Sequence, residues 1–161
     1  MSSRKKPGTN GRSPSKQRLR LWIRLLRSTR AIESEVRERL RTEFGITLPQ
    51  FDVMAALERE PKGMTMSELS RFLMVSNGNV TGIIDRLVAS RLVTRKAPED
   101  DRRAIVVRLT PQGASQFAAM AKAHEGWVNH ILSEFNETET AAVIRHLDGL
   151  SKRVRNGEKR A

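Results

Sequence analysis

Between Thr65 and Thr110 the apolar residues change period, and that change limits the possible folds more than any other feature of the chain. Leu69, Phe72 and Leu73 fall at helical spacing and are expected on the inner side of one short helix. Val80, Ile83, Ile84 and Leu87 repeat the pattern in a second. Leu92 to Ala97 and Ala104 to Leu109 are rich in β-branched residues and flank Pro98-Glu99-Asp100-Asp101-Arg102-Arg103, which reads as a β-hairpin with a long polar tip. The expected fold is mainly α with one small β-hairpin.

Local signals mark the joints. Thr65-x-x-Glu68 is a capping box for the first short helix. Met74-Val75 leads into Ser76-Asn77-Gly78-Asn79, which does not comfortably continue a helix, and Ser76 can cap the next one. Upstream, Leu19, Trp22, Leu26, Thr29, Ile32, Val36, Leu40 and Phe44 recur every three or four residues from about Ser15, with Ile23 and Leu25 widening the stripe and Gly45 as the stop. This helix of about thirty residues exceeds the usual globular length. One small domain seldom covers so long a stripe, which points to a second chain. Thr47-x-x-Gln50, with Pro49 between, starts another helix that buries Phe51, Val53, Met54 and Leu57 and ends at Pro61-Lys62-Gly63. Thr110-Pro111 starts a long helix with the stripe Phe117, Ala121, His124, Val128, Ile131 and Phe135. Asn136-x-x-Glu139 caps a last one bearing Val143, Ile144, Leu147, Leu150 and Val154. Residues 1–15, rich in Ser, Gly, Pro and cations, are expected to be a disordered basic tail. Residues 156–161 are expected to fray.

Composition removes several function classes. The 161 residues suit one domain. There is no cysteine, hence no disulfide framework, thiolate metal site or cysteine-based redox sensor. The three histidines, His124, His130 and His146, lack metal-site spacing, and no nucleophile elbow, phosphate-binding loop or catalytic carboxylate pair is present, so neither a metal, a cofactor nor catalysis is expected. The first apolar cluster, Leu19 to Leu26, is interrupted by Arg20 and Arg24. It is no secretory signal, and no run is long enough to span a membrane, so the cytoplasm is the expected location. The net charge of +12 favours a polyanionic partner, although ten of the cations fall within residues 1–30, ahead of the first acid, Glu33.

Two short helices about a turn, the second apolar inward and polar outward, form a helix-turn-helix pattern. Duplex DNA admits one helix into its major groove, where base edges present donors and acceptors. Ser76, Asn77, Gly78, Asn79, Thr81 and Arg86 are the candidate contacts, with Thr65 and Ser67 at the start of the preceding helix. Asn pairs with adenine edges, the Thr81 methyl meets thymine, and Gly78 lets the backbone approach. At the hairpin tip Arg102 and Arg103 suit the minor groove, with Asp101 orienting them. Asp85, one turn beyond Thr81, is a candidate clamp between this helix and an arginine of the hairpin. The plainer alternatives are a packing hairpin of helices and a solvated mixed-charge loop.

With Glu99-Asp100-Asp101-Arg102-Arg103, Val107-Arg108-Leu109-Thr110-Pro111-Gln112-Gly113 and Leu87-Val88-x-x-x-Leu92-Val93-x-Arg95 in view, the chain over about residues 17–155 resembles the MarR family of bacterial transcription regulators. Asp100 stands where many members carry Pro or Gly. The resemblance implies a winged helix-turn-helix over 47–109, flanked by dimerisation helices at 16–46 and 110–155. It also implies a homodimer on a pseudo-palindromic operator in double-stranded DNA, with recognition helices about one turn, roughly 34–36 Å, apart. Such proteins often act as repressors that release DNA when a small aromatic acid or its CoA thioester binds. Trp22, Leu26, Phe51, Met54, His124 and Trp127, with Arg30 for a carboxylate or phosphate, are candidates for that pocket. The alternative, that apolar stripes are core or dimer contacts, is the commoner use of such residues. A non-specific architectural DNA-binding or RNA-binding protein is the competing function.

Overall fold

The computed structural model describes residues 13–97 and 105–158, without the side chains of Asn77 and Glu158. The chain divides into two compact units, Met1–Leu48 and Pro49–Ala161.

The first unit is essentially one helix, α1 (Pro14–Phe44). Pro14 sits in its first turn, where a missing N–H costs nothing. The helix therefore begins inside the segment expected to be tail. It stops at Gly45, whose φ of 64° favours a residue without Cβ and whose N–H reaches the Arg41 carbonyl at 3.1 Å. Val36, Leu40 and Ile46 are buried, whereas Leu19, Leu21 and Trp22 each keep more than half of their surface exposed. In the second half of α1, Arg37 pairs with Glu33, Arg39 with Glu35 at 2.6 Å and Arg41 with Glu38 at 2.6 Å.

The second unit contains α2 (Leu48–Arg59, which starts at the boundary), β1 (Met64–Thr65), α3 (Met66–Leu73), α4 (Asn77–Ala89), β2 (Val93–Lys96), β3 (Val106–Leu109), α5 (Pro111–Ile131) and α6 (Glu137–Glu158). The expected hairpin proves to be part of a three-stranded antiparallel sheet, ordered β1-β3-β2. Met64 pairs with Val107, and Val93 with Leu109. Arg108 reinforces the β1 edge by donating from Nε to the Lys62 carbonyl at 2.6 Å.

The core combines Phe51, Val53, Met54 and Leu57 of α2 with Leu69 of α3, Val80, Ile84 and Leu87 of α4, Leu92, Val93 and Val107 of the sheet, and Phe117, Met120 and Trp127 of α5. Three expectations shift. Phe72 is half exposed rather than inward, because α3 is only two turns long and Leu69 alone reaches the core. The buried side of α5 runs through Gly113, Phe117, Met120 and Trp127, and the helix ends at Ile131, so Phe135 lies beyond it and is exposed. The chain is helical through Glu158, past the expected fraying point.

The start of α5 is fastened to the sheet. Thr110 caps the helix by accepting from Gly113 N–H at 2.9 Å, and its hydroxyl also donates to the Arg91 carbonyl at 2.8 Å. Its own N–H reaches the Leu92 carbonyl at 3.0 Å. A Cβ on Gly113 would lie 1.9 Å from that same carbonyl oxygen, so only glycine permits this approach. The apolar row of α6 is left open: Val143, Ile144, Leu147, Leu150 and Val154 are 40–62% exposed.

Candidate nucleic-acid interface

The two short helices are joined by Met74, Val75 and Ser76. The expected capping box of α3 is complete: Glu68 N–H donates to Thr65 Oγ1 at 3.2 Å, and Thr65 N–H donates to Glu68 Oε2 at 2.7 Å. The Thr65 N–H first, and second the Thr65 hydroxyl, which also donates to Glu68 Oε2 at 2.9 Å, hold the Glu68 carboxyl below its ordinary range. Thr65 thus commits its side chain to the cap, while Ser67 on the first turn of α3 is exposed.

Met74 ends α3 in the left-handed region, φ 54°, with its N–H on the Arg71 carbonyl and the Val75 N–H on that of Ser70. This is a Schellman cap built without glycine, at a backbone cost of order 1 kcal/mol. Ser70 supports it by donating to the Val75 carbonyl at 2.6 Å. The other end of α4 is closed the same way, with Arg91 at φ 60°. There Leu92 N–H reaches the Leu87 carbonyl, and both side chains are buried. Sequence patterns look for glycine at such positions, so neither cap is legible from residue types.

Ser76 caps α4, accepting from Asn79 N–H at 3.4 Å. With Val80, Ile84 and Leu87 at zero exposure, the rotation of α4 is set: Gly78, Asn79, Thr81, Asp85 and Arg86 all face outward. Asn77 opens the helix. Gly82 joins this face. At Gly78 and Gly82 nothing lies within 4 Å of where a Cβ would stand. Packing within the chain does not require either glycine, although each costs a helix interior about 1 kcal/mol against alanine. Gly82 is not among the residues expected from the sequence; its signal is its position one turn after Gly78.

Asp85 does clamp an arginine of the hairpin, and that residue is Arg95 on β2. Arg95 Nη2 pairs with Asp85 Oδ1 and lies 3.5 Å from the Thr81 carbonyl. Its Nε is buried without an acceptor among the described residues. The bridge ties α4 to the sheet. Arg95 belongs to one of the sequence motifs above, but its spacing alone does not assign it this role. Asp101, Arg102 and Arg103, the expected tip contacts, lie outside the described residues.

The expected effector residues are divided between the two units. Met54 is fully buried, and Phe51 and Trp127 nearly so. The Phe51 ring stands 5.5 Å from that of Phe117 and 5.0 Å from His124, as packed aromatic neighbours. On the other unit, Trp22 and Arg30 are exposed and Leu26 is half-buried. An opening of about 640 Å³ lies instead where α5 meets α6, lined by His124, Glu125, Val128, Asn129, Leu132, Ser133, Phe135 and Thr140. Among the described residues no cluster of potential metal ligands occurs, and no helix is long and apolar enough to cross a membrane.

A model of the MarR family matches residues 44–104, from the end of α1 to beyond β2. The multiple antibiotic resistance protein MarR of Escherichia coli is 30% identical over 75% of this chain and 84% of its own length. The chain belongs to the MarR family. The transcriptional activatory protein BadR of Rhodopseudomonas palustris is 29% identical, over 91% of this chain and 86% of its own. A MarR family transcriptional regulator from Silicibacter pomeroyi superimposes with a TM-score of 0.75 at 27% identity, covering 89% of this chain and 99% of that one. This MarR-family chain is thus a DNA-binding transcription regulator with a winged helix-turn-helix, rather than an enzyme.

Proposed function

We propose that the chain reads a pseudo-palindromic operator as a homodimer in the cytoplasm, with one α4 in the major groove at each half-site. The outward face of α4 carries this reading: a polar surface with bare backbone at Gly78 and Gly82, held at a set angle by the Asp85–Arg95 bridge. Ser76, Asn77, Asn79 and Thr81 read bases or phosphate, Arg86 adds charge, and Arg102 and Arg103 contact the minor groove. Ser67 stands close enough in sequence to the cap of α3 to meet phosphate, and Thr65 acts there by holding the helix start. The exposed apolar row of α6 supports the dimer.

Release by a small aromatic acid or its CoA thioester completes the proposal. The opening beside His124 has a volume suited to such a molecule, and it replaces the pocket expected around Met54. The ligand acts through its differential affinity for a state with wrongly spaced recognition helices. The direction is repression. Activation is the second reading, favoured by the name of the BadR relative.

Selection of bound fragments from a random duplex pool tests the reading. The wild-type chain is expected to enrich a two-fold repeat with half-sites one turn apart. Asn79→Ala should relax the preference at one position in each half-site, costing about 1–3 kcal/mol there. Enrichment of no motif, or identical losses on every sequence, would remove base readout by α4.

A further inference from the structure

The charge of this chain is placed unexpectedly for a DNA reader. Residues 1–32 contain ten Lys and Arg and no acid, so they hold +10 of the net +12. The remaining 129 residues carry 20 cations against 18 acids. The winged helix-turn-helix at 47–109 has ten cations against eight acids. The winged helix-turn-helix is therefore nearly neutral overall, and most of the net positive charge lies outside it.

The structure shows how part of that charge is arranged. At 100° per residue, Lys16, Arg20, Arg24, Arg27 and Arg30 fall within an arc of about 120° on α1. Val36 and Leu40, the buried residues of the same helix, lie on the opposite side. All five cations are exposed, and among the described residues none has an ion-pair partner. The second half of α1 differs, since its Arg37, Arg39 and Arg41 are each neutralised by a glutamate. One helix thus has a compensated half and an uncompensated half. Four of the five cations are arginine, whose planar fork matches phosphate oxygens.

We infer that the Lys16–Arg30 stripe of α1 is a second, sequence-independent contact for the phosphate backbone of duplex DNA, separate from the readout face of α4. The stripe is about 21 Å long, and a duplex presents one phosphate charge per ~1.7 Å of axis. Five guanidinium and ammonium groups in that length meet a surplus of phosphates at any register. The contact supplies affinity and capture rate, while α4 supplies choice.

The test uses the full-length chain and a short fluorescein-labelled duplex of random sequence, titrated at a series of KCl concentrations. In the variant R20Q/R24Q/R27Q/R30Q, affinity at low salt should fall by roughly tenfold or more, and the slope of log K against log [KCl] should become shallower by about 0.9 for each phosphate that is no longer neutralised. The matching Arg→Lys variant should keep most of the slope. An unchanged slope in the Gln variant overturns the inference, and so does an equal loss in the Lys variant, which would mean packing rather than charge. If phosphatidylglycerol vesicles capture the wild-type chain while the slope on DNA stays the same in the Gln variant, the stripe serves a membrane surface and the inference falls. Asn79→Ala should change sequence preference without changing the slope on random DNA, so failure of base readout and failure of the stripe are separately visible.

Discussion

Helices α4 and α6 are both amphipathic, yet they end in different states. α4 brings Val80, Ile84 and Leu87 to zero exposure within its own unit. α6 has an apolar row of similar quality and leaves every member 40–62% exposed. The first helix is satisfied by one chain; the second presents a surface too apolar to be left in water. Under the proposed function, the contrast separates what the chain would do alone, which is to orient a reading helix, from what would need a second copy, which is to place two such helices at a fixed distance.

Four measurements can break or sharpen this contrast, and the largest effect belongs to α6. Leu147→Glu with Leu150→Glu should abolish self-association in analytical ultracentrifugation and with it binding to a two-fold site, while far-UV circular dichroism stays near wild type. A variant that remains a dimer would show that α6 is not the interface. Next comes Leu87→Ala, which removes a fully buried side chain and should cost about 2–5 kcal/mol in urea unfolding. A loss below about 1 kcal/mol would mean that α4 is less firmly held than its burial implies. Gly82→Ala should move stability and function in opposite directions. The helix gains up to about 1 kcal/mol, while affinity for the selected site falls several-fold because a methyl group now occupies the bare face. Equal or tighter DNA binding would show that nothing approaches Gly82. The smallest effect concerns Glu68, whose carboxyl is held below its ordinary range in the folded chain by Thr65. A depressed folded value contributes stability that is complete above the unfolded value, about 4.3, and is lost as the pH falls through the folded one. Glu68→Gln should remove that contribution, slightly lowering stability at neutral pH, leaving it nearly unaffected below the folded value, and so flattening the acid side of the curve in that window. An unaltered acid limb would assign the pH dependence elsewhere.

Much of this is legible in the sequence wherever the determining contacts are local. The caps at Thr65, Ser76, Thr110 and Asn136 involve residues three apart, and each forms the expected bond. The inward faces of α2 and α4 follow from periodicity. The Asp85 clamp is legible in kind, though its partner Arg95 is not. What escapes depends on distant pairing or on rare backbone states. β1 has two residues, too few for a period, and exists because Val106 and Val107 lie beside it. Met74 and Arg91 adopt positive φ where the chain turns back to close the bonds from Val75 N–H to the Ser70 carbonyl and from Leu92 N–H to the Leu87 carbonyl, which residue types do not announce. The inner face of α5 differs from its expected position by part of a turn because Ala121 and Met120 are adjacent and both apolar, and only packing selects the methionine.

The joint at Thr110–Gly113 has a mechanical consequence. Two carbonyls of the strand entry are held by one threonine, and the next turn of α5 presses against Leu92 with no room for a methyl group. There is no slack segment between that helix and β2, and β2 is linked through Arg95 to α4. Under the proposed function, a tilt of α5 would reach α4 through these contacts as torque about a close-packed pivot. The joint would then act as a lever with little play, in which small angular changes at the far end reach the DNA side rather than being absorbed on the way.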